Sequence, residues 1–571
     1  MVKRNARSKR QNADGFMSGV LVLSVSTVIV KIIGLAYKIP MISYLGAEGM
    51  GYFNSAYEIY AMLCVIATAG LPVALSILIS ANRQRGAGRT IRRIERGAMT
   101  VFLSIGMAGM IFLFAMARPI AQAFGNEDAF FCIMAIAPAL FFVCFSSAIR
   151  GFFQGFHRML PTAISQLIEA LGKLIFGIWF AAIALERGKS LPVVAAFAIL
   201  GLTLGTLLSA IYLLITKVIA RKGVSLSQDS TECTTDGIKT LLRIAFPITL
   251  SAAVLSATRL VDMALIMRRL QEIGYSVSEA NEIYGAYTTL AVPVFSLLPS
   301  LIAPISMALV PQLSAAITRQ SAEDQASLSE RSIRLTVLLA MPASMGIAVY
   351  ASPILGILFS REYEAIRIAS PLLSILGFSI LFSGLITTTN AILQSYRQTV
   401  KPIISMSVGT LIKLVFAYFL IGTPSIGVMG APISTLLCDL TVSGMNLYFL
   451  GTAIPKARSS VGILQMYYKP LVASLLAILG SFGAYVSLSR TSLGMTMALL
   501  LAIAVAILVY AAFAILLRII TAEDMAMLPM GQRILRRASA YSEYHINYHK
   551  KGRKNYDDQR KNSNVDDKNA I

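Results

Sequence analysis

Nine ionisable side chains interrupt or border stretches of otherwise unbroken hydrocarbon: Lys31, Lys38, Glu58, Glu169, Lys173, Arg259, Asp262, Lys413 and Asp439. An ionised group at the centre of a bilayer costs about 2.5–3.5 kcal/mol on insertion scales, so each needs a partner, a route to the surface or a wet cavity. Lys31 and Lys38 are seven residues apart and share one face of a helix. Arg259 and Asp262 stand three apart, and Glu169 and Lys173 four apart, close enough to pair within a turn. On one reading, Lys31, Lys38, Arg259 and Lys413 line a hydrated cleft whose cations attract an anionic head group. On the other, the charges are internal ion pairs that fix helix register, and Lys38 extends to the membrane surface. The spacing favours a functional role for Lys31 and Arg259, and a structural one for the same-helix pair Glu169–Lys173. Glu58 and Asp262 are ion-pair or coupling groups. Asp439 either partners Lys413 or takes part in cation or proton coupling.

Other chemistry is poorly represented. The sequence holds no nucleophile–base constellation and no phosphate-binding P-loop, so it is not expected to be an enzyme or to need a cofactor. Cys64, Cys132, Cys144, Cys233 and Cys438 make no C-x-x-C spacing. His545 and His549, four apart in a polar tail, are two lone ligands, and no metal site is expected.

These charges must be positioned by membrane helices. Of 571 residues, 56% are hydrophobic and 14% charged, with a mean hydropathy of +0.70. Soluble proteins carry about 25% charged residues, so a string of soluble domains is excluded. A net charge of +22 would suit a nucleic-acid binder, but the hydropathy does not. Fourteen apolar runs approach or exceed the roughly 20 residues needed to cross a bilayer. They fall at 16–37, 51–80, 98–117, 129–149, 160–185, 191–216, 240–267, 283–312, 333–359, 369–395, 402–422, 426–451, 468–488 and 494–517. The expected fold is an all-α integral membrane protein with fourteen transmembrane helices: two six-helix lobes and a C-terminal helix pair. Of the 50 Lys and Arg, 37 lie on the side of the termini, nine on the other and four inside spans, which places both ends in the cytoplasm of a multi-pass cell-membrane protein.

The expected organisation is a basic N-terminus (1–15), an N-lobe (16–222), a cytoplasmic linker (223–239), a C-lobe (240–452), the last two spans (453–520) and a largely disordered cytoplasmic tail (521–571). The lobes carry an internal repeat. Gln154-Gly-Phe-His-Arg158, Pro161 and Lys173-Leu-Ile-Phe176 are echoed by Gln394-Ser-Tyr-Arg397, Pro402 and Lys413-Leu-Val-Phe416. Parallel repeats of this kind place a substrate site between lobes that rock to give alternating access. Pro293, Pro299 and Pro304 make the eighth span the best candidate for a bending gate.

Several motifs carry a family resemblance: Leu45-Gly-Ala-Glu-Gly49-Met-Gly-Tyr52, Gly70-Leu-Pro-Val-Ala-Leu-Ser76, Arg150-Gly-Phe-Phe-Gln-Gly155, Leu298-Pro-Ser300 and Ala308-Leu-Val-Pro-Gln-Leu-Ser314. They resemble the polysaccharide-transporter branch of the multidrug/oligosaccharidyl-lipid/polysaccharide flippase superfamily, and within it the Gram-positive sporulation and lipid II flippases. The resemblance covers roughly residues 16–520. It implies alternating-access transfer of undecaprenyl-diphosphate-linked sugars from the inner to the outer leaflet, through a cationic cavity. It also implies that helices thirteen and fourteen form a groove for the polyprenyl tail. A basic cavity residue of that family falls on Lys31, three before Gly34, and a second falls on Tyr37, next to Lys38. A third falls near Cys64 and Val65, and the eighth span has no Lys or Arg between 281 and 318, so Arg259 is the candidate substitute.

The expected partners are the lipid-linked sugar, membrane lipids and the machinery of cell-wall or polysaccharide synthesis; nucleic acid is not among them. Two alternatives remain. A drug or cation antiporter of the same superfamily would use Glu58, Asp262 or Asp439 as its ion switch. A membrane glycosyltransferase would need a substantial outer loop, whereas the longest here, 268–282, has about fifteen residues.

Overall fold

In a computed structural model, residues 2–84, 87–156, 158–223, 237–453, 463–490 and 494–517 are described. The tail with His545 and His549, and Cys233 of the linker, lie outside them. Among the described residues there is no strand. Lipid offers no hydrogen bonds, so a chain this apolar satisfies its peptide groups within helices. The helices are α1 (Val2–Thr68), α2 (Leu71–Gln84), α3 (Gly88–Ala123), α4 (Phe130–Gly155), α5 (Leu160–Glu186), α6 (Leu191–Gly223), α7 (Gly237–Glu272) and α8 (Val277–Ala286). After a π-helical turn at Tyr287–Ala291 come α9 (Val292–Thr318), α10 (Ala322–Leu358), α11 (Tyr363–Ser395), α12 (Val400–Ile421), α13 (Gly430–Ala453), α14 (Ile463–Ser489) and α15 (Gly494–Leu516). Eleven helical stretches among the described residues are long and apolar enough to cross a membrane.

The boundaries depart from expectation where charges are at stake. No loop separates the first two apolar runs. Helix α1 continues through both, broken only at Gly46, whose φ of 63° and ψ of 179° are non-helical and favour a residue without a Cβ. Tyr37, Met41, Ile42 and Leu45, in and just after the end of the first run, are buried core, so packing extends the helix there. The second run is instead cut at Ala69–Gly70, before Pro72. Helices α4 and α6 outlast their expected ends at 149 and 216, which brings Arg150 and Lys217 inside helices.

The eighth run is also divided. Pro293 stands at the start of α9, directly after the π turn, whereas Pro299 and Pro304 are carried inside α9. In the π turn the Val292 N–H donates to the Tyr287 carbonyl, five residues back. The next carbonyl, Thr288, would need a donor at 293, and proline has none.

Helices of the first half pack chiefly on one another, as α5 on α6, α4 on α3 and α6, and α1 on α4 and α5. In the second half, α10 packs on α11, α12 on α13, and α14 on α15 and α10. The halves meet where α1 lies against α7 and α8, and α2 against α7. At that junction α1 and α8 touch backbone to backbone. A Cβ on Gly285 would collide with the Ala47 carbonyl oxygen, and one on Gly51 with that of Asn281. The buried amides of Asn126 and Asn281 bond each other reciprocally at 2.8 and 3.1 Å. Asn54 Nδ2 donates to the hydroxyls of Thr288 and Thr289 at 2.9 and 2.8 Å. At the start of α8 a capping box pairs Ser276 with Glu279. The Ser276 N–H and hydroxyl both hold the exposed Glu279 carboxyl below the usual carboxylate range.

Candidate functional site

Most of the charged residues lie on α1, α5, α7 and α12, where α1 packs on α5 and α7, and α7 on α12, and their partners differ from those that spacing suggested. Glu169 does not serve Lys173. Arg150, from α4, pairs with Glu169 at 2.9 Å. Its guanidinium also donates to Ser165 Oγ at 2.9 Å and Ser209 Oγ at 3.1 Å. Three fixed acceptors suit a planar fork of donors, and they draw the carboxylate away from its neighbour one turn on. Lys173 turns instead towards α1. Its Nζ lies 4.8 Å from the ring centre of Tyr37, 5.4 Å from Phe53 and 4.7 Å from Tyr57.

Lys38 does not run out to the membrane surface. Its Nζ donates to the Thr288 carbonyl at 2.7 Å, the oxygen that Pro293 leaves without a backbone donor. A proline singled out as a hinge thus has a local consequence: it creates the acceptor that holds a cation between the halves. Lys38 and Lys173 lie close enough to repel each other, and Glu58 attracts Lys38 without being in ion-pair contact.

In the second half Asp262 pairs with Lys413 of α12, not with Arg259 on its own helix. Lys413 is therefore matched to Asp262 and not to Asp439, although Asp439 remains within its electrostatic reach. Tyr287, Ser434 and Thr435 join Asp262 around a cavity of about 20 Å³, room for one water. Lys31 and Arg259 are both exposed, and neither has a carboxylate in ion-pair contact among the described residues. Arg259 and Asp262 both act electrostatically on Glu58.

Three groups escaped the sequence reading. Arg150 opens the Arg150–Gly155 motif but falls one residue past the expected end of its span at 149. The ring cage was invisible because Tyr37, Phe53 and Tyr57 look like core on an apolar helix. The third is a buried pair, Lys217 Nζ to Glu95 Oε1 at 2.7 Å, between α6 and α3. Beside α14 and α15 lies a cavity of about 350 Å³ whose walls are almost wholly apolar, among them Leu298, Pro342, Tyr350, Ile478, Ile507 and Tyr510.

Long apolar helices surrounding a cluster of charges define a multi-pass membrane protein of the transporter class. The chain belongs to the polysaccharide biosynthesis protein family, whose model matches residues 16–317; a MatE model matches 282–419. Both lie within the multidrug/oligosaccharidyl-lipid/polysaccharide flippase superfamily. Stage V sporulation protein B of Bacillus subtilis is 23% identical over 91% of this chain and 99% of its own length. The lipid II flippase MurJ of the same organism is 27% identical over 70% of this chain and 76% of its own. Among solved structures, lipid II flippase MurJ in an inward closed conformation superposes with a TM-score of 0.69, at 16% identity, over 87% of this chain and 99% of that one. An inward-facing multidrug resistance MATE transporter gives 0.62, at 15% identity, over 76% and 98%. The two structural matches share the fold.

Proposed function

We propose that this protein is a flippase that moves undecaprenyl-diphosphate-linked sugars, lipid II or a related polysaccharide precursor, from the inner to the outer leaflet. In this reading fourteen spans form two six-helix lobes and a C-terminal pair, both termini face the cytoplasm, and the lobes rock about the junction of α1 with α7 and α8. The observation that carries it is a set of cations with no carboxylate in ion-pair contact among the described residues: Lys38 on the Thr288 carbonyl, Lys173 on aromatic rings, and the exposed Lys31 and Arg259. A diphosphate needs several cations where screening is weak. The apolar cavity against α14 and α15 suits the polyprenyl tail, which can stay in hydrocarbon while the head crosses.

The test is transfer of a fluorescent lipid-diphosphate sugar in proteoliposomes. Lys31→Ala and Arg259→Ala should each slow it by about tenfold or more, the size of one charge-assisted contact; unchanged rates for both would remove them from the site.

A second reading has one observation in its favour. Asp262, Lys413 and Asp439 form a polar cluster inside the second half, which suits the ion switch of a drug or cation antiporter. Dye extrusion driven by a Na⁺ or proton gradient, with no transfer of lipid-linked sugar, would favour it.

A further inference from the structure

We infer that Lys173 and Lys38 together form a cradle for the phosphate groups of the cargo, and that Arg150 keeps this cradle positive by holding Glu169 away from Lys173. The inference rests on the flippase reading and assigns a residue pair that spacing would have made an inert ion pair.

The argument turns on what kind of partner holds each cation. A carboxylate stabilises an ammonium and cancels its charge. An aromatic face stabilises it through the ring quadrupole and carries no net charge, so the ammonium still presents a full positive charge to a third party. Lys173 is held by three such faces, those of Tyr37, Phe53 and Tyr57. Lys38 is held by a neutral peptide carbonyl, that of Thr288. Both side chains are partly exposed. The two ammonium groups, one on α1 and one on α5, repel each other, and a multivalent anion bound by both would relieve that repulsion. Phosphate oxygens are the matching chemistry, since a lysine ammonium is a compact donor of up to three hydrogen bonds.

Arg150 is then a positioning residue. Glu169, one turn before Lys173, would neutralise it if free. The contacts of Arg150 with Glu169, Ser165 and Ser209 keep that carboxylate out of ion-pair contact with Lys173, so it acts on the ammonium only at a distance. Glu58 is the remaining acid near Lys38, and it is shared with Arg259.

The test uses the full-length protein in detergent and two probes, a short-chain prenyl diphosphate and inorganic pyrophosphate, so that a lipid head group and a free phosphate are told apart. Lys173→Met should weaken prenyl diphosphate binding by about tenfold, one charge-assisted contact, and Arg150→Ala by a comparable factor. Arg150→Ala with Glu169→Gln should bind within about twofold of wild type, because no carboxylate is left to cancel Lys173. A merely structural pair would be rescued in the same way, so unfolding is read beside binding: Arg150→Ala should lose affinity at temperatures where its unfolding curve shows it fully folded, and an affinity loss that only tracks unfolding overturns the positioning role. Should Lys173→Met fail to fold, amine-reactive labelling of the wild type reads the same point: the prenyl diphosphate should shield Lys173 and Lys38 more than pyrophosphate does. Equal shielding by both probes would overturn the assignment to a lipid-linked head group.

Wild-type binding that survives Lys173→Met, or a double variant as weak as Arg150→Ala, overturns the inference and leaves the flippase reading standing on Lys31 and Arg259. A wild type that neither binds the prenyl diphosphate nor transfers lipid-linked sugar overturns both.

Discussion

Lys173 and Lys413 occupy the same place in the internal repeat, and the two halves treat them in opposite ways. The offset of 240 residues that relates Gln154 to Gln394 also relates these lysines, and sets Glu169 against Gly409 and Arg150 against Asn390. In the first half an acid stands one turn before the lysine, yet Arg150 takes it, and the ammonium is left to aromatic rings. In the second half that acid is absent, and Asp262 arrives from α7 to pair with the lysine. The same side chain is an active charge in one half and a cancelled one in the other. Charge inside a membrane protein is therefore read from partners, not from the number of Lys and Arg.

The comparison can be broken most severely in the second half. Asp262→Ala leaves Lys413 without its carboxylate, and losing one member of a buried pair costs about 3–5 kcal/mol. Thermal unfolding in detergent should show that loss, and Asp262→Asn with Lys413→Met should recover most of it. If the single variant is as stable as wild type, the pair is not what holds α7 to α12.

In the first half the neutral partners predict smaller effects on stability. Lys38→Met removes the donor to the Thr288 carbonyl, and an unsatisfied acceptor costs about 1–3 kcal/mol. Its effect on transfer of lipid-linked sugar should exceed its effect on unfolding; the reverse ordering would make Lys38 a structural peg. Smaller again, Tyr57→Leu should cost about 0.5–2 kcal/mol, the range for one cation–π contact. It should leave the charge of Lys173 in place, which labelling of its amine checks.

The smallest change lies at the capping box of α8, outside both clusters. Because its serine contacts hold the Glu279 carboxyl low, their stabilisation is complete above the ordinary carboxylate range. It fades only as pH falls through the lowered value. Ser276→Ala should fray the start of α8 in hydrogen exchange and leave transfer near wild type.

The class of fold was legible because hydrocarbon length and the absence of water dictate helices whatever the partners. The presence of Lys31 and Arg259 in apolar stretches was legible for a similar reason, since a charge stands out against hydrocarbon whatever its partner. The pairings were not. A spacing of four residues says that Glu169 can reach Lys173; it does not say that an arginine with two serine acceptors lies across the helix interface and competes better. Rings around an ammonium leave no periodic trace. Pro293 was visible as a break in the helix pattern, yet the carbonyl it frees becomes meaningful only when Lys38 arrives from a helix 250 residues away.

Gly51 and Gly285 bring α1 and α8 together without side chains between them. Adhesion between surfaces grows with the apolar area they hide, and glycine contributes almost none. The grip between the halves therefore comes from the apolar side chains around the two glycines, Met50, Phe53, Tyr284 and Leu290 of one buried core, while the glycines set only how near the two backbones can come.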